Sequence, residues 1–157
     1  MPVNGVYNPF LNNSLRFPER HWADVQKYTT TGVPNPDPDR RPFRRYIDIW
    51  WAGMCVGILE EQLTNVPANE WHTFSPGSIL SSDPWRIIHL QLLAVGLTES
   101  RTILDDPSAI VQMANDYAAT GLPLLFDRMN NTPEPIMAAS EFLRDRCVSL
   151  RANSDAL

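Results

Sequence analysis

Cysteine is scarce in this chain and lysine almost absent: there are two cysteines, Cys55 and Cys147, and one lysine, Lys27, against twelve arginines. Two thiols in separate helical patterns, without metal-ligand spacing, exclude a disulfide framework and a cysteine-based zinc site. They are expected to be buried free thiols of a reducing cytoplasm. Long hydrophobic runs are also missing. The longest nearly uncharged stretch, Ile49 to Leu59, falls well short of the roughly 20 residues that span a bilayer. The opening "MPVNGVYNPFLNN" has no basic segment followed by an apolar one, so no signal peptide is expected. These absences point to a cytoplasmic protein without membrane contact. The chain has no P-loop, GxGxxG, EF-hand or HExxH pattern, and nothing implies a cofactor or a metal. A formal net charge of −5 excludes a global pull toward nucleic acid and leaves only local patches for such a role.

What the sequence does have is a globular balance, 43% hydrophobic and 20% charged over 157 residues, enough for one domain with a real core. Fourteen prolines punctuate it. Asp83-Pro84 and Asp106-Pro107 each read as an N-cap followed by proline at the first helical position, and Asn131 or Thr132 with Pro133 repeats the device. The exits are expected near Gly96 and at Gly121, with "GLPLLFDRM" as a separate short helix. Upstream, Trp22, Val25 and Tyr28 mark a short amphipathic helix, and residues 29–41 read as a proline-rich linker. The stretch from Asn65 to Leu80 is the best place for a short extended segment, but no alternating run is long enough to build a sheet.

The densest feature is "DPDRRPFRRYIDIWW", where Arg40, Arg41, Arg44 and Arg45 fill four of six positions ahead of an apolar helix. That helix is expected from about Phe43 to Gln62. Its residues are apolar nearly all round, which marks a helix surrounded by others. Gly53 and Gly57 would let a neighbour approach closely. Arginines at a helix N-terminus oppose its dipole and need another partner. Either Arg44, Arg45 and Asp48 form an internal network, or the four arginines grip an external anion.

The fold expected is therefore all-α: a single domain of five or six helices packed irregularly around the central helix. An aromatic arm (1–17) precedes the helical domain (18–151), and a tail (152–157) follows. The arm carries Tyr7 and Phe10, which either pack back on the domain or dock into a neighbour. Five tryptophans and twelve arginines, with no catalytic constellation, favour recognition over chemistry. The leading expectation is a non-enzymatic interaction or assembly subunit with a protein partner or a second copy of itself. Its binding residues would be Arg40, Arg41, Arg44, Arg45, Tyr7 and Phe10. A nucleic-acid-associated protein using Arg40–Arg45 is the alternative. A small enzyme with His72 near Ser75 and Ser78 is the third reading, and it would need a nucleophile held beside a base.

Overall fold

The computed structural model describes residues 5–154. The first four residues of the expected arm and the last three of the expected tail lie outside the described residues. Helix makes up 64% of the structure, so the protein is mainly α. In chain order the elements are strand β1 (Ser14–Pro18), α1 (Trp22–Tyr28), α2 (Tyr46–Leu59), strand β2 (Trp71–Pro76), α3 (Pro84–Thr98), α4 (Pro107–Asn130) and α5 (Pro135–Ser154). Short 3-10 turns lead into α1, β2, α3 and α4.

The two strands correct the all-α expectation. β1 and β2 pair antiparallel, Phe17 opposite His72 and Leu15 opposite Ser75, with an irregularity between Leu15 and Arg16. β2 lies inside the segment expected to be extended. Its partner comes from the arm, more than fifty residues away, and five residues of β1 are too few to announce themselves by alternation. Leu15 and Phe17 are nonetheless fully buried. Asn115 of α4, itself fully buried, holds the strand from both sides. Its Oδ1 accepts from the Arg16 N–H at 2.9 Å and its Nδ2 donates to the Ser14 carbonyl at 3.2 Å. Through Phe10, Leu15 and Phe17 this segment is thus part of the core.

None of the fourteen residues of α2 is exposed, as its all-round apolarity requires. It packs chiefly on α4, and glycines set the crossing. A Cβ on Gly121 would lie 1.8 Å from the Gly53 carbonyl oxygen, and one on Gly57 would lie 1.9 Å from that of Tyr117. The helix begins at Tyr46 rather than Phe43. Phe43 is held instead by the chain after α1, donating to the Tyr28 carbonyl and accepting from the Thr30 N–H. Asp48 then closes the helix start by accepting from the Arg45 N–H at 3.0 Å.

Gly121 is therefore not a helix stop. α4 runs through both Gly121 and Pro123 as one helix of 24 residues. The proline removes one backbone donor, but breaking the helix there would expose Leu122, Leu125, Phe126 and Met129, all buried. Burial outweighs one hydrogen bond, at roughly 1.5–3 kcal/mol for each large apolar side chain. α5 starts at Pro135, two residues later than expected, where the Ile136 N–H donates to the Asp39 carbonyl and ties in the proline-rich linker. It continues past residue 151 to Ser154. Cys55 is half-buried, whereas Cys147 is exposed on α5, against the expectation of two buried thiols.

Candidate interaction surface

The sequence of α3, "PWRIIHLQLLAVGLT", contains one charge, Arg86. That arginine is the part of the surface missed by sequence reasoning, and it is turned inward, only 5% exposed. Its Nη2 donates to Asp48 Oδ1 at 2.6 Å and its Nη1 to the Ile47 carbonyl at 3.1 Å. Arg45 completes a quartet: its Nη2 lies 3.0 Å from Asp48 and 2.8 Å from Asp83. Two arginines and two aspartates sum to zero, so the charges are matched inside the fold. Burial pushes the Asp48 carboxyl up, but hydrogen bonds from Arg45 and Arg86 and their charges outweigh it and leave it below its ordinary value. Asp83 stands at the N-cap position of α3, yet its side chain makes no cap hydrogen bond, because it faces the two arginines. The warning in the sequence was Asp83-x-x-Arg86, a lone ion pair at helical spacing in an otherwise apolar helix.

Two tryptophans flank the Arg86 guanidinium, with ring centroids at 5.1 Å for Trp51 and 4.8 Å for Trp85. Their faces suit a cation in a partly dry setting. With Arg86, Ile87, Leu90 and Ala94 pointing in, the opposite side of α3 still carries apolar groups. Trp85 is 45% exposed, Ile88 57% and Leu92 63%. Exposed single apolar residues are ordinary, but a run of them along one helix without a charge is not. Beside this stripe is an open groove of about 420 Å³ lined by Trp51, Cys55, His89, Leu92, Gly96 and their neighbours. Gly96 keeps it open, since nothing lies within 4 Å of where its Cβ would be.

The expected binding residues are scattered by the fold. Arg45 is in the quartet. Arg41 turns its Nη1 to the carbonyls of Gln26 at 2.7 Å and Thr29 at 2.9 Å, stitching the linker to α1. Arg40 and Arg44 are exposed, and Arg40 lies 3.7 Å from Asp37. Arg40, Arg41 and Lys27 do share the rim of a groove of about 440 Å³. In the arm, Phe10 is fully buried and so is not a docking residue. The Asn8 side chain accepts from the Phe10 N–H and donates to the Gly77 carbonyl and Ser81, fixing the turn against the domain. Tyr7, 76% exposed, stays outside.

His72 sits in an aromatic pile, stacked on Trp22 at 4.3 Å and on Phe17 at 5.4 Å. Its Nδ1 lies 2.8 Å from Glu19. An acid is in place, but the Ser75 hydroxyl donates to the adjacent Pro76 carbonyl and not to the imidazole. A hydrolase nucleophile requires the reverse. Among the described residues, no helix is long and apolar enough to cross a membrane, and no group of three or more His, Cys, Asp or Glu could hold a metal ion. No family model, curated protein or solved structure matches the chain.

Proposed function

We propose that this protein is a non-enzymatic helical interaction subunit of a larger cytoplasmic assembly, and that it docks a protein partner through the outward face of α3. The observation that carries this reading is the uncharged apolar stripe Trp85–Ile88–Leu92, set on a helix whose single charge is internally paired. Interface cores are depleted in charge and enriched in aromatic residues. A helix laid against a partner reads out positions three and four apart, which is the spacing found here. The ion quartet supplies the rigidity such a face needs, since it locks α3 to α2 through Asp48 and Arg86.

The test is site-directed photocrosslinking in the native cell. A benzophenone amino acid replacing Leu92 should form a discrete adduct with a protein identifiable by mass spectrometry. The same probe at exposed Asp105 should not. Equal labelling from both positions, or none from position 92, would discard the reading.

A second reading has one observation behind it, the grouping of Lys27, Arg40 and Arg41 around one groove, which suits an anionic ligand such as a nucleic-acid backbone. It predicts retention on heparin that weakens steeply with salt and is lost in Arg40→Glu. The net charge of −5 works against it.

A further inference from the structure

We infer that the groove where α1, the end of α4 and the proline-rich linker meet binds a small organic phosphate. The inference rests on the anionic reading of that groove, adds the class of ligand, and does not depend on the α3 face. Lys27 of α1 and Arg40 and Arg41 of the linker line this groove of about 440 Å³, and among the described residues no Asp or Glu lines it. Three cations without an acid stand out in a chain of net charge −5. The one ion pair that any of them makes among the described residues is Arg40 with Asp37, at 3.7 Å with both side chains more than half exposed. Water and salt weaken such a pair.

Hydrogen-bond donors are held ready at the same place. Arg41 gives both Nη1 hydrogens to the Gln26 and Thr29 carbonyls, which fixes its guanidinium. Its Nη2 and Nε make no hydrogen bond among the described residues. Lys27 Nζ donates once, to Asn130 Oδ1, and an ammonium has three hydrogens to give. The same Asn130 oxygen accepts from the Tyr28 hydroxyl, so the amide keeps its Nδ2 as a donor. Thr132 accepts from the Glu134 N–H and retains its own O–H. A guanidinium fork beside an ammonium and neutral donors matches the oxygens of a phosphate. Two features favour a small organic phosphate over a polyanion. The rest of the lining is Tyr28, Met129, Pro133 and Pro135, which suits a carbon skeleton. An extended backbone needs a track of cations, and here the track stops: Arg44 does not line the groove and Arg45 is paired with Asp48 and Asp83.

The test is isothermal titration calorimetry of the full chain at about 150 mM salt, with phenyl phosphate, inorganic phosphate and a single-stranded oligonucleotide as probes. Phenyl phosphate should saturate one site per chain with a dissociation constant below about 1 mM, and more tightly than inorganic phosphate. Lys27→Gln combined with Arg40→Gln removes two exposed cations. Its circular dichroism and melting temperature should match the wild type, while affinity for phenyl phosphate falls at least about tenfold. Arg44→Gln, equally exposed but outside the groove, should bind like the wild type. No saturation by phenyl phosphate up to about 10 mM, or an equal loss of affinity in Arg44→Gln, overturns the inference. Inorganic phosphate bound as tightly as phenyl phosphate overturns the organic part of it. Oligonucleotide binding without phenyl phosphate binding overturns only the small ligand; binding of none of the probes overturns the anionic reading as well.

Discussion

Asp48 of α2 accepts from Arg86 of α3 at 2.6 Å, and the same carboxylate accepts from the Arg45 side chain and the Arg45 N–H. One acid therefore starts a helix, joins two helices and neutralises two arginines. Asp48→Ala should lower stability by roughly 3 kcal/mol, toward the low end of a broken buried pair because Arg45 remains partly solvated. Denaturant unfolding of the purified variant measures this, and a loss below about 0.5 kcal/mol would show that the quartet is incidental. The pH dependence has a definite sign. A carboxyl held below its ordinary value of 3.8 stabilises fully above that value and ceases to as pH falls through its folded-state value. Acid should therefore destabilise the wild type below about pH 4 more than Asp48→Asn, which has no carboxylate to protonate.

The arginine cluster divides along the same line. Reversing Arg40 and Arg44 to Glu should leave the melting temperature nearly unchanged, because both are exposed and exposed charges contribute little. Arg45→Glu places a third acid beside Asp48 and Asp83 and should destabilise by about 2–4 kcal/mol. Thermal melts of the two variants side by side decide it, and equal melting temperatures would contradict the separation of roles.

His21 is buried against Phe126, ring centroids 5.5 Å apart, and its Nε2 has no hydrogen-bond partner. Burial, helped by the positive charge of Arg20, lowers its pKa from 6.5 to about 4. The unfolded chain therefore binds a proton between these values and the folded chain does not. Stability should fall as pH drops from 6.5 toward 4, by about 2 kcal/mol after discounting for partial solvation. His21→Phe should flatten that window in a pH series of unfolding curves while keeping the apolar contact. An unaltered slope in His21→Phe would assign the pH response to other groups.

The helix crossing gives a paired prediction. Gly121→Ala puts a methyl 1.8 Å from the Gly53 carbonyl oxygen, so α2 and α4 must part. The cost should reach about 3 kcal/mol or more, read by chemical denaturation. Gly96→Ala, in open space on α3, should instead stabilise by about 0.5–1 kcal/mol from helix propensity. The opposite order of the two would mean that the crossing lies elsewhere.

Local chemistry was legible in the residues themselves. Asp106 caps α4 as its position before Pro107 implies, accepting from the Ala109 N–H at 3.0 Å. The all-round apolarity of residues 46–59 made α2 an enclosed helix because every side of it must find cover. Those inferences need only neighbours in sequence, and so do the starts of α3 at Pro84 and α4 at Pro107. The division of the arginines, the passage of α4 through Gly121 and Pro123, and the pairing of β1 with β2 each depend on a partner far along the chain. Gly121 reads as a helix stop until Gly53 lies against it. Arg86 reads as one more surface arginine until α2 brings Asp48 within 2.6 Å. Which side of α3 faces inward was likewise undecided, since its sequence is apolar on both. Tertiary packing decided it: Arg86 faces α2, and Asp48 and Asp83 supply the carboxylates that a buried guanidinium requires, while Trp85, Ile88 and Leu92 stay at the surface.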